Sequence, residues 1–142
     1  PPRSTLFPYT TLFRSKKIRT FKDLDVWKQA HSLVIKVYII TKDFPKEEQY
    51  GLVSQMRRAA VSVTSNIAEG FVRNSYKEKA HFYNMSKGSL AELQDQLLIS
   101  KDVMYLSEEK YNAIELDLIR VQMILSKFIQ KTESFVRQNR GS

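Results

Sequence analysis

Cysteine is absent from the 142 residues, which excludes disulfides, thiolate metal sites and cysteine nucleophiles and fits a cytoplasmic protein. Glycine and proline number only four each, so turn material is scarce and long helices with few connectors are the economical arrangement. The glycines Gly51, Gly70 and Gly88 stand alone, which leaves no glycine-rich loop to cradle a phosphate. No run of about 20 apolar residues occurs, so nothing in the sequence is long enough to span a bilayer. What is there is ordinary for one globular domain with a real core: 42% hydrophobic and 27% charged residues. The charge is not balanced. A formal +8 draws a protein towards nucleic acid or anionic lipid, although the same charge also serves solubility alone.

Residues 1–15, PPRSTLFPYTTLFRS, look foreign to the rest, and the run from Thr5 to Ser15 is similar to the translation of a sequencing-library adapter. They are set aside as a non-native segment. Without Arg3 and Arg14 the formal +8 falls only to +6, so the basic character belongs to the domain at 16–138, with 139–142 as a tail. The periodicity predicts helices over about 21–42, 46–70, 75–105 and 107–137. Thr20 with Asp23, and Ser75 with Glu78, have capping spacing; Ser107 precedes Glu108 and Glu109 in the same way. Glu47 and Glu48 suit the positive first turn of the second helix, and Gly70 suits a left-handed C-cap.

The first helix carries two apolar series, Leu24-Trp27-His31-Val34-Tyr38-Thr41 and Val26-Ala30-Leu33-Val37-Ile40-Phe44. Two apolar faces need two partners, which points to self-association. The second helix, GLVSQMRRAAVSVTSNIAEG (Gly51–Gly70), sets Val53, Met56, Ala60, Val63 and Ile67 on one stripe amid small residues that admit a neighbouring backbone. In the third, Tyr76, Tyr83, Leu90, Leu97 and Met104 recur every seven residues, with Leu93 between and Ser86 and Ser100 small. The fourth keeps Tyr111, Ile114, Leu118, Val121, Leu125, Phe128, Thr132 and Phe135 in strict three–four alternation, with Ile119, Met123, Ile124 and Ile129 outside that seam. Four such helices with short connectors predict an all-α, antiparallel up-down-up-down bundle.

A bundle of this kind raises the di-iron question, but Glu78-Lys79-Ala80-His81 is the sole Glu-x-x-His, and Glu78 is wanted as a capping partner. No metal and no cofactor is therefore expected. No serine has a histidine or carboxylate at a telling spacing, so no enzyme is expected; a pocket lined by Glu69, Asn66, Arg58 and His31 would be the mark of one. Gln55, Asn66 and Glu69 beside the second helix's seam, with Glu92 on the third as a candidate partner for one arginine, form a candidate polar network that fixes register or a subunit contact. The basic residues give a candidate nucleic-acid surface. Arg57, Arg58, Arg73, Lys77 and Lys79 form one patch, Lys127, Lys131 and Arg137 a second, and Tyr76 offers a stacking face. Binding through them rests on phosphate and shape, with little base specificity.

FKDLDVWKQA (Phe21–Ala30), FPKEEQYGLVSQMRRAAVSVTSNIAEG (Phe44–Gly70) and KGSLAELQDQL (Lys87–Leu97) carry a resemblance. From Phe21 to about Leu106 the chain resembles the four-helix-bundle proteins encoded in intervening sequences of bacterial 23S rRNA genes. It is also similar to their relatives, the accessory variability proteins of diversity-generating retroelements. Helix four matches only in pattern, and Thr64 stands where the family usually carries proline, which implies a straighter second helix here. The resemblance implies a homopentameric ring with a basic surface. Its retroelement branch implies a nucleic-acid-binding partner of a reverse transcriptase, whereas the ribosomal branch is defined by gene position. Two functions are thus expected: a non-enzymatic cytoplasmic protein that holds RNA or DNA by phosphate contacts, or a protein-interaction adaptor such as an accessory subunit of a reverse transcriptase.

Overall fold

A computed structural model describes residues 17–140, and among them all regular structure is helical. Helix α1 spans Asp25–Thr41, α2 Leu52–Phe71, α3 Tyr76–Asp102 and α4 Glu108–Arg140, with single 3-10 turns at Phe21–Asp23 and Lys46–Glu48. The adapter-like segment lies outside the described residues.

The two 3-10 turns account for the late starts of α1 and α2. Thr20 and Asp23 do form a capping box: Lys22 N donates to Thr20 Oγ1 (3.2 Å) and Thr20 N donates to Asp23 Oδ2 (3.0 Å). That box closes the 3-10 turn, and α1 begins behind Leu24 with no side-chain cap of its own. Backbone donors from Thr20 and Arg19 hold the Asp23 carboxyl below its ordinary range. In front of α2, Gly51 has no side chain to offer, and Glu48 Oε2 instead accepts from Leu52 N at 3.1 Å. Ser75 Oγ accepts from Glu78 N (3.1 Å) and Ser107 Oγ from Lys110 N (3.2 Å), so both serines cap their helices, although the Glu78 carboxylate makes no return bond to Ser75 N and the capping box is half formed.

Two helix ends depart from expectation. Gly70 is not a left-handed cap: it is buried inside α2, and no described glycine has positive φ. Its reason is space, because a Cβ there would lie 2.6 Å from Tyr83 Cε1 and 3.1 Å from Phe82 Cβ. The left-handed residue is Met104 (φ 68°), just past α3, where Tyr105 N and Leu106 N turn back onto Ser100 O. Met104 therefore leaves the heptad seam and stands 89% exposed.

The helices pack side by side in chain order, α3 most extensively on α2 and then on α4, with α1 closing against both α2 and α4. Met56, Ile67, Leu90, Leu93, Leu97, Leu118 and Leu125 are fully buried, each contributing about 1.5–3 kcal/mol of apolar transfer. Small residues let α2 and α3 approach: Ser86 Oγ donates to Val63 O (2.7 Å), Ser100 Oγ donates to Gln96 O (2.8 Å) against Met56, and Ser62 bonds Ser89 (2.8 Å). Of the α4 seam, Ile114, Leu118, Val121, Leu125 and Thr132 are buried and Tyr111, Phe128 and Phe135 half-buried, and Ile129 joins the buried set.

Of the first helix's second series, Val26, Ala30, Leu33, Val37 and, beyond the helix end, Phe44 are buried inside the protomer, and Ile40 is half-buried. Of the other, Leu24, Val34 and Thr41 are buried while Tyr38 faces solvent. His31, expected as a seam residue, is exposed and stacked on Trp27 at 4.6 Å. Ile35 and Ile39 on α1 and Leu116, Ile119 and Met123 on α4 remain outside the core. No helix among the described residues is long and apolar enough to cross a membrane.

Candidate functional site

Charge is partitioned along the bundle. No Asp, Glu, Lys or Arg falls in 29–35, 59–68, 88–91 or 121–126, the middle turns of the four helices. On one side of this neutral belt lie 17–28, 69–87 and 127–139, with eleven Lys and Arg against five Asp and Glu. On the other lie 36–58 and 92–120, with eight against ten. Contacts bring each set together. Tyr76 at the start of α3 stacks on Phe135 of α4 (4.8 Å), Lys79 reaches the end of α2, and the Phe21–Asp23 turn packs on α2.

The first basic patch expected from the sequence is therefore two. Arg57 and Arg58 belong to one half of the bundle, and Arg73, Lys77 and Lys79 to the other. Fifteen residues of mostly helical rise put Arg58 and Arg73 roughly 20 Å apart.

Not all of these cations are free to meet a phosphate. Arg73 pairs with Glu69, and its guanidinium lies 4.6 Å over Phe82. Lys79 Nζ donates to Phe71 O and Gly70 O, neutralising the carbonyl end of α2, and burial lowers its pKa below that of an ordinary lysine. Lys77, Lys127 and Lys131 are exposed, and their ammonium groups bond to no described residue. Lys77 and Arg137 face one another across an open groove of about 320 Å³ between α3 and α4, lined also by Asn84 and Glu133. The face of Tyr76 towards α4 is covered by Phe135.

Arg57 is fixed in a different way. It lies 4.6 Å over the Tyr38 ring, and its Nε donates to Thr41 Oγ1 (3.0 Å), whose own hydroxyl donates to Val37 O (2.7 Å). Arg58 is exposed, and both arginines line a groove of about 450 Å³ between α1 and α2.

The polar set Gln55, Asn66, Glu69 and Glu92 does not form one network. Gln55 is exposed, Glu69 is taken by Arg73, and Glu92 accepts from Gln96 at 3.4 Å instead of meeting an arginine. Asn66 alone has inward partners, donating to Ser62 O (2.8 Å) and Ser62 Oγ (3.0 Å) beside Ser89. The four residues named as the mark of an enzyme have four separate surroundings, since His31 stacks on Trp27 and Arg58 opens onto the α1–α2 groove. A second polar chain was not foreseen: Gln122 Nε2 donates to Gln94 Oε1 (2.9 Å) and Gln94 Nε2 to Glu115 Oε1 (3.0 Å), tying α3 to α4. The groove residues Lys42, Lys46, Gln49 and Tyr50 were also missed. For Lys46 and Tyr50 the signal is the recurrence Lys46-Tyr50-Ser54-Arg58 every four residues, which the break at Gly51 hides, while Lys42 and Gln49 fall outside it.

No protein of curated function matches this chain. Among solved structures it is similar to a protein with unknown function from the S23 ribosomal protein family of Bacteroides thetaiotaomicron. That likeness has TM-score 0.69 at 19% identity and covers 74% of this chain and 95% of the other, so it speaks to the fold. The sequence pattern described as 23S rRNA-intervening sequence protein matches residues 22–127, from the α1 entry to the middle of α4. With the match spanning most of the described bundle, the chain belongs to the 23S rRNA-intervening sequence protein family.

Proposed function

We propose that this protein is a non-enzymatic, cytoplasmic nucleic-acid-associated protein that holds RNA or DNA by phosphate contacts at the basic end of its bundle. One observation carries the reading: the partition of eleven cations against five carboxylates on one side of an uncharged belt and eight against ten on the other. Such an end attracts a polyanion before any contact forms, and Lys77, Lys127, Lys131 and Arg137 supply the phosphate donors. Arg73 and Lys79 serve the fold first.

The finer architecture belongs to the same proposal: an antiparallel up-down-up-down protomer in a homopentameric ring. Antiparallel order is supported by the α2–α3 pairs, because Met56 meets Ser100, Ser62 meets Ser89, and Gly70 meets Tyr83. Residue numbers fall on one helix as they rise on the other. Self-association is supported by the apolar residues left outside the core on α1 and α4.

The test is binding to a structured RNA hairpin across a salt series. Affinity should fall steeply with salt, and Lys131→Ala should weaken all sequences alike and reduce the log–log slope by about one. Affinity absent at low salt, or indifferent to salt, overturns the reading. Sedimentation of the full chain tests the ring, with a pentamer expected and a monomer contrary to it.

A further inference from the structure

The half of the bundle where carboxylates outnumber cations contains one continuous surface with no carboxylate at all. Two grooves between α1 and α2, of about 450 and 250 Å³, adjoin through Gln49, Val53 and Arg57. Between them they are lined by four cations, Lys42, Lys46, Arg57 and Arg58. A local cluster of one sign against a background of the other marks a place for an anion of limited size, because a long polyanion would meet the surrounding Asp and Glu.

The cations are not equivalent. Arg57 is held before any ligand arrives, by the Tyr38 ring beneath it, by Thr41 Oγ1 and by Tyr38 O, to which its Nη2 donates at 3.4 Å; a ligand that meets the remaining Nη1 costs it little rotamer freedom. Arg58 bonds to no described residue and is free to close on a bound group. Tyr50 lines the same groove and is 91% exposed, an aromatic face that no packing requirement explains. Planar stacking surface, a fixed guanidinium and a free one together match an aromatic ring that carries phosphate.

We infer that the α1–α2 groove is a nucleotide site, with phosphate on Arg57 and Arg58 and the base on Tyr50. A free nucleotide and one nucleotide of a single strand offer the same chemistry. The site uses none of the residues assigned to the basic end, so the two readings stand or fall separately.

Calorimetric titration of the full chain with AMP, inorganic phosphate and a glutamate-rich decapeptide tests it. AMP should bind at least tenfold more tightly than phosphate, since phosphate brings no base to stack. Arg58→Glu should weaken AMP tenfold or more and Tyr50→Ala several-fold. Both side chains are exposed, and unchanged circular dichroism would show that the variants fold. Lys127→Glu should leave AMP binding intact. Competition between AMP and a short single strand identifies the source: displacement means that the strand places a nucleotide here, and independence means that the site takes the free nucleotide. AMP no tighter than phosphate, AMP indifferent to Arg58→Glu and Tyr50→Ala, or the peptide binding as tightly as AMP would each overturn the inference.

Discussion

At the scale of single residues, Gly70 shows how a correct local signal can carry the wrong reason. Its place at the end of an apolar stripe reads as a cap, and only the position of Tyr83 on another helix reveals that the missing Cβ is what matters. Gly70→Ala should therefore destabilise by about 1–3 kcal/mol through overpacking, although alanine alone would favour the helix by about 1 kcal/mol. Denaturant unfolding decides the sign, and a neutral or stabilised variant would refute the close approach. Tyr83 supplies a second test. Burial pushes its hydroxyl up to about 12, while an unfolded tyrosine titrates near about 10. Above about pH 10 the folded chain keeps a proton that the unfolded chain has lost, so stability is whole below that pH and falls as pH rises towards about 12. Tyr83→Phe should flatten part of that alkaline loss in Tm measured against pH. Tyr111, raised to about 12 by burial and then by Glu115, retains the remainder.

At the scale of the element, the sequence predicts the long helices well because three–four alternation is written into every turn, as on α4 from Tyr111 to Phe135. It predicts their ends less well. A 3-10 turn keeps nearly the same apolar spacing as an α-helical one, so Phe21–Asp23 is absorbed into the helix that follows it, and Lys46–Glu48 is absorbed because Glu47 and Glu48 suit a first helical turn. The seven-residue repeat on α3 likewise continues one step too far, since nothing in Met104 itself announces a left-handed backbone. That conformation costs a non-glycine residue about 1–2 kcal/mol, and the 89% exposed side chain has little packing to lose. Met104→Gly should stabilise the protein by about 1 kcal/mol, seen as a higher unfolding midpoint with an unchanged m value. A lower midpoint would mean that the methionine is held by contacts outside the protomer.

At the scale of the whole molecule, the family and the basic balance were legible, whereas the layout of charge was not. Composition gives a surplus, and motif spacing joined Arg57 and Arg58 to Arg73, Lys77 and Lys79 because they are neighbours in sequence. Folding separates them across the uncharged belt and gathers Lys77 with Arg137, a pairing that depends on where α3 and α4 cross. A concentration of cations at one end carries a cost of its own. Lys127 and Lys131 are four apart on α4, both exposed and with ammonium groups bonded to no described residue, a like-charge pair that opposes the helix by about 0.2–0.5 kcal/mol. Lys127→Glu turns that repulsion into an attraction in the favourable order, glutamate preceding lysine. The variant should be more stable at low ionic strength by about 0.5–1 kcal/mol, with the gain disappearing in high salt. The same change should weaken binding to the RNA hairpin. If selection for stability alone had shaped this face, the two effects would not oppose one another, and a variant that gains stability while keeping its affinity would remove Lys127 from the binding surface.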